Sequence, residues 1–94
     1  MTLEQLRMFV TVAEQGSIAR AAEILHKTQP ALSIAIKRFQ EELQLSLLKK
    51  TANRLQLTAD GQRLLPHCLY LLRQEKDIGT LAFHLKQGHE SKIE

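Results

Sequence analysis

Tryptophan is absent from the 94-residue chain, and tyrosine and phenylalanine together number four. So few aromatics leave little material for the stacking platforms on which single-stranded nucleic acids are held. The one cysteine, Cys68, excludes an intrachain disulfide and any CxxC metal pair. His67 and Cys68 are neighbours, and adjacent residues on a helix do not face one point. Without a second ligand pair at helical spacing, neither they nor His84 and His89 are expected to hold a metal. There is no His/Ser/Asp grouping and no glycine-rich phosphate loop, so neither an enzyme nor a bound cofactor is expected. No apolar run approaches the roughly 20 residues needed to cross a bilayer. The opening MTLEQLRMFV has no basic stretch ahead of an apolar core, so no secretory leader and no membrane partner are expected, and the expected location is cytoplasmic. Internal repeats and low-complexity linkers are missing as well, which leaves one domain with one modest core.

Apolar residues make up 44% of the chain, enough for a folded protein. The net charge is +3, and it is unevenly placed. Residues 1–58 carry all of that excess, while 59–94 are balanced. Lys27 to Arg54 alone holds six basic and two acidic residues. Such a patch attracts a polyanion, although a solvated basic face has the same composition.

The stretch Ser17–Leu43 organises the rest. Thr2, with Gln5 three residues later, makes a capping box for a first helix whose Leu3, Leu6, Val10 and Ala13 recur at helical spacing beside Phe9. Gly16 is placed to end it. Ser17 caps a second helix with Ile18, Ala21, Ala22 and Leu25 on its inner face. Small residues at 21 and 22 permit the close approach that two steeply crossing helices need. His26, Lys27 and Thr28 make the turn, and Pro30 falls in the first turn of a third helix, where a missing N–H costs nothing. That helix, about Gln29 to Glu42, has a core stripe of Leu32, Ile36, Phe39 and Leu43. At about 100° per residue, its opposite face carries Pro30, Ser33, Ile34, Lys37, Arg38 and Glu41. This pair of helices reads as a helix-turn-helix, whose second helix usually enters a DNA major groove.

Leu45–Lys50 and Leu55–Leu57 read as a two-stranded hairpin around Thr51-Ala52-Asn53-Arg54, with Asn53 the tip residue best suited to positive φ. Lys49, Lys50 and Arg54 cluster near that tip. Thr58 caps a long last helix, about Ala59 to Gln87, which Gly88 should end. It would span about 43 Å, more than a domain of this size needs for itself. Pro66 should kink it mildly. Leu64, Cys68, Leu71, Glu75, Ile78, Ala82 and Leu85 form a heptad-like seam, widened by Leu65, Leu69, Leu72 and Phe83. Glu75 is a rim position or one half of a polar pair. The expected fold is therefore mainly α: a winged helix-turn-helix of three helices and a two-stranded wing over residues 1–58, a linker helix over 59–88, and a frayed end over 89–94.

The run GSIARAAEILHKTQPALSIAIKRFQEEL, followed by LSLLKKTANRLQLTADG, resembles the N-terminal DNA-binding domain of LysR-type transcriptional regulators. The resemblance covers about Leu3 to Leu85. It is carried most specifically by AA at 21–22, QPALS at 29–33 and LTADG at 57–61. It implies a regulator that activates or represses genes from a short inverted-repeat site in double-stranded DNA. It also implies a homodimer made by antiparallel linker helices, and often a tetramer formed through a larger effector-binding domain. That domain is absent from these residues, so the chain is expected to be the DNA-binding part of a longer regulator, with a stand-alone module as the alternative, and an inducer is expected only if such a domain exists.

Residue by residue, Gln29, Pro30 and Ser33 match the family's base-reading positions. Position 34, often arginine in the family, is Ile34. It cannot pair with guanine but can pack on a thymine methyl. Lys50, Ala52, Leu48 and Gln44 replace a usual arginine, a glycine, a phenylalanine and a second glycine. Phosphate and wing contacts are expected from Ser17, Arg20, Thr28, Lys37, Arg38, Lys49, Asn53 and Arg54. The dimer seam is expected to use Leu64, Cys68, Leu71, Leu72, Ile78, Ala82 and Leu85. The competing expectation is a protein-interaction module acting through the long helix, against which the basic excess at 27–54 argues.

Overall fold

A computed structural model describes residues 1–92. Its elements are α1 (Leu3–Gln15), α2 (Ile18–Leu25), α3 (Gln29–Leu43), β1 (Leu48–Thr51), β2 (Arg54–Leu57) and α4 (Ala59–Lys92). Each of the first three helices starts at a side chain that accepts from a backbone N–H three residues on: Thr2 from Gln5, Ser17 from Arg20, Thr28 from Ala31. At α1 the Gln5 carboxamide reaches back to the Thr2 N–H at 2.9 Å, completing the capping box.

All three helices stop at a residue in the left-handed conformation: Gly16 (φ 64°), His26 (φ 57°) and Gln44 (φ 58°). After α2 and α3 the chain reverses in the same way. Lys27 N–H donates to the Ala22 carbonyl at 2.9 Å, and Leu45 N–H to the Gln40 carbonyl at 3.1 Å.

α1 is the centre of the head, in contact with α2, α3, α4 and β2. That explains why its buried face is broader than one stripe. Leu6, Phe9 and Val10 are buried as expected, and so are Met8 and Val12, whereas Leu3 is exposed. Ala21 and Ala22 are buried at the α1–α2 crossing. Leu32, Ile36 and Phe39 turn inward from α3, and the Phe39 ring lies 5.8 Å from that of Phe9.

The hairpin pairs Leu48 with Leu57 and Thr51 with Arg54, leaving Ala52-Asn53 as a two-residue tip. The first strand starts three residues later than the apolar run suggested. Leu47 is fully buried in the core, and the Gln40 carboxamide oxygen accepts from the N–H groups of Leu47 and Leu48 at 2.8 and 3.1 Å. This segment is thus tied to α3 by a side chain rather than to a strand. At the tip it is Ala52, not Asn53, that takes positive φ (53°).

Thr58 begins α4 by accepting from Gly61 N–H at 3.0 Å, and its hydroxyl donates to the Ser46 carbonyl at 2.6 Å. The helix runs 34 residues, helical through Pro66 and on past Gly88 to Lys92. Gly88 does not end it because it stays out of the left-handed region that Gly16 adopts. The expected frayed end is therefore helical over 89–92, and residues 93 and 94 lie outside the described residues.

α4 has two unlike halves. Leu64, Leu65 and Leu72 pack against the core, and Cys68 is part of it at 2% exposure. From Glu75 to His89 every residue is exposed.

Candidate nucleic-acid interface

The buried stripe of α3 dictates what its other face presents. With Leu32, Ile36 and Phe39 held inward, Thr28, Gln29, Pro30, Ser33, Ile34, Lys37 and Arg38 are all exposed. The Thr28 hydroxyl is engaged in capping. The side chains of Gln29, Ser33, Lys37 and Arg38 make no hydrogen bond or ion pair among the described residues, so their donors and acceptors are available to a partner. Ile34 stands among them 53% exposed, an apolar residue on a polar face.

A second group forms where the wing meets the α1–α2 turn. Leu55 N–H donates to the Gly16 carbonyl at 3.0 Å, hooking β2 to that turn. The Arg54 guanidinium lies directly over Gly16, where an added Cβ would sit 3.0 Å from one of its nitrogens. Gly16, Ser17, Ile18, Lys50, Asn53, Arg54 and Leu55 line a cavity of about 230 Å³. It opens at the N-terminus of α2, whose first-turn N–H groups carry partial positive charge. Two cationic side chains beside a helix N-terminus suit an anionic oxygen such as a phosphate.

This geometry brings together three of the expected wing and phosphate residues, Ser17, Asn53 and Arg54. It leaves Lys49 out and includes Lys50, which sequence reasoning had not singled out for contact. Successive residues of a strand point to opposite faces, so the strand register, not the presence of two lysines, decides which one borders the cavity. Arg20 instead borders a separate surface hollow with Gln15, Glu23 and Ile24. Lys37 borders another, near the C-terminal end of α3, with Gln40, Glu41 and Gln44.

The seam residues of α4 divide. Cys68 is consumed by the chain's own core, and burial pushes its thiol pKa up. It therefore cannot serve a subunit seam. Leu64 and Leu72 are partly spent on the same core. Leu71, Ile78, Ala82 and Leu85 are exposed, together with Leu69, Tyr70, Leu81 and Phe83. Glu75, in the middle of the seam, is ion-paired with Arg7 of α1. That pairing spans 68 residues and had no local signal. Among the described residues no group of His, Cys, Asp or Glu could hold a metal ion, and no helix is long and apolar enough to cross a membrane.

Comparison with known proteins gives this arrangement a family. Residues 3–62 match the model of the bacterial regulatory helix-turn-helix protein, lysR family. The HTH-type transcriptional regulator CfxR of Cupriavidus necator is 44% identical over 77 residues, which cover 82% of this chain and 24% of that protein. The HTH-type transcriptional regulator AlsR of Bacillus subtilis is 43% identical over 93 residues, 99% of this chain and 31% of that protein. The chain thus spans about a quarter to a third of the length of these relatives. Among solved structures, the BenM_DBD/catB site 1 DNA complex superposes with a TM-score of 0.89 at 31% identity, covering 95% of this chain and 96% of that one. Full-length CbnR complexed with its target DNA superposes at 0.79 and 30% identity, covering 87% of this chain and 28% of that one. The winged helix-turn-helix, the long C-terminal helix and these matches agree: the chain belongs to the lysR family of bacterial helix-turn-helix transcriptional regulators.

Proposed function

We propose that this chain is the sequence-specific, duplex-DNA-binding part of a cytoplasmic transcriptional regulator and that it acts as a dimer. The observation that carries the reading is the outward face of α3, where unpaired polar side chains surround one exposed isoleucine. Its likeness to BenM_DBD, solved on catB site 1 DNA, supports the same reading. In a major groove Gln29 offers the donor–acceptor pair that matches adenine, Ser33 serves several bases, and Pro30 and Ile34 supply apolar contact, Ile34 to a thymine methyl. Lys37, Arg38, Arg20 and the Thr28 end of α3 hold backbone phosphates. The cavity between Ser17 and the wing takes another phosphate through Lys50, Asn53 and Arg54, and Lys49 lies against the backbone from the far face of the wing. With no arginine at position 34, specificity leans on thymine methyls, DNA shape and the wing more than on guanine hydrogen bonds.

The exposed apolar face of α4 is the dimer surface. Leu71, Ile78, Ala82 and Leu85 are its centre, with the outer edges of Leu64 and Leu72, and two α3 helices would then face successive major grooves of an inverted repeat. Exposed apolar patches of this extent on a soluble domain mark an interface.

The test is binding to duplexes selected from a random pool by the chain itself, against scrambled duplexes, across a salt series. Specific binding should weaken steeply with salt, by about 0.9 logarithmic units per neutralised phosphate for each tenfold rise. The Gln29→Ala, Ser33→Ala double variant should lose discrimination and still sediment as a dimer, while Leu71→Lys or Ile78→Lys should sediment as a monomer. Equal affinity of the parent chain for scrambled DNA would reject the reading.

A further inference from the structure

The seam of α4 has one charged residue, Glu75, and it stands where the helix leaves the head. Core packing along α4 ends with Leu72, Gln74 is half-buried, and everything from Glu75 to His89 is exposed. At that point Arg7 of α1 holds the helix. Its guanidinium is forked, with Nη2 donating to Glu75 and Nη1 to Glu4 at 3.3 Å. Glu4 in turn lies 3.6 Å from the ammonium of Lys27, in the turn just before α3. The Glu75 contact is also the main cause that raises the Arg7 pKa. A continuous chain of charges thus runs from the helix-turn-helix turn through α1 to the point of departure of α4.

We propose that Arg7 and Glu75 are positioning residues for DNA binding: their ion pair sets the angle between head and linker helix, and so the separation of the two α3 helices in a dimer. This rests on the dimeric reading above. An exposed ion pair is a weak contributor to folding, but its leverage here is geometric. About 17 residues of α4 lie beyond Glu75, an arm of roughly 25 Å. A swing of about 10° at the departure point moves the far end by about 4 Å. That exceeds the roughly 3.4 Å rise of one base pair, so a modest change of angle alters half-site spacing. Leu64, Leu65, Cys68 and Leu72 seat the first half of α4 on the head, and the Arg7–Glu75 pair ties the helix at the edge of that packing, where residues 75–89 become exposed. The fork of Arg7, steadied by Glu4, gives the angle a preferred value.

The experiment places a spin label at Glu23→Cys, on the exposed side of α2 and outside the proposed DNA contacts, with Cys68 replaced by alanine. Pulsed dipolar spectroscopy then reads the distance between the two heads of the DNA-free dimer. The parent should give one narrow distribution. Arg7→Gln and Glu75→Gln should each broaden or shift it by about 4 Å, the lever displacement above. The charge swap Arg7→Glu with Glu75→Arg, made together with Glu4→Gln so that the swapped carboxylate meets no like charge one turn away, should restore the parent distribution, which a loss of general stability would not do. On selected duplexes, the single variants should tolerate insertion or deletion of one base pair at the centre of the repeat that the parent and the swap reject. Unchanged head-to-head distances in both single variants of a dimeric protein would overturn the positioning role and leave the dimeric reading standing. A parent that shows no intermolecular distance and sediments as a monomer would overturn both.

Discussion

Replacing Gly61 by alanine should destabilise the fold, although the same change elsewhere in the same helix should not. In an exposed helix interior, alanine is favoured over glycine by up to about 1 kcal/mol. At position 61 that gain meets a wall. An added Cβ would lie 2.2 Å from the Leu47 carbonyl oxygen and 3.0 Å from Leu57 Cδ2. Carbon–oxygen contacts across packed backbones settle near 3.3–3.6 Å, so about 1 Å must be recovered by moving backbone. Leu47 is fully buried, and its carbonyl accepts from Thr58 N–H at 2.9 Å. Relief comes either from pulling Leu47 out of the core or from lifting the start of α4, and the second route breaks that hydrogen bond. Overpacking costs about 1–3 kcal/mol and the lost bond about 1 kcal/mol. After the helical gain, a net destabilisation of about 1–3 kcal/mol remains. For a domain of this length each kcal/mol lowers Tm by about 4–8 °C. The assay is thermal unfolding followed by far-UV circular dichroism at one fixed protein concentration, because dimerisation makes Tm concentration-dependent. Gly79→Ala is the matched control, since a Cβ there meets nothing within 4 Å. It should hold or raise Tm. Shifts of the same sign at 61 and 79 would refute the close-approach argument.

Gln44 and Ala52 hold φ values of 58° and 53° without being glycine. Gln44→Gly and Ala52→Gly should therefore each stabilise the chain, by about 0.5–1 kcal/mol once the greater freedom of glycine in the unfolded chain is counted, read as a higher denaturation midpoint at unchanged slope. Cys68 should resist a thiol reagent at pH 8 in the folded chain and react fully in denaturant. Because burial raises its folded pKa, its contribution to stability is present below the unfolded thiol's pKa and lost as pH rises through the folded value. The alkaline fall in stability should shrink in Cys68→Ala.

What could be read without coordinates was local. The caps at Thr2, Ser17 and Thr28, the turn at Gly16 and the inward stripe of α3 all depend on groups three or four residues apart, and the structure has them where periodicity and capping place them. With the core stripe known, the exposed face of α3 follows by rotation alone. Tertiary structure decided whatever depended on distant neighbours. An apolar seam on α4 looks the same whether its partner is the home domain or another subunit. Only packing showed that Cys68 is spent on the core while Ile78 and Leu85 are not. Two adjacent lysines are equivalent in sequence, and the strand register selected Lys50 for the cavity at the α2 N-terminus. Gly88 carries the usual mark of a helix end and does not act as one. Gly61 looks like an ordinary helical glycine until Leu47 comes against it. Glu75 appears as a flaw in a heptad until the fold brings Arg7 to it. Backbone capping is written in short separations along the chain, whereas close approaches, ion pairs between helices and the division of an apolar face exist only once the chain has closed on itself.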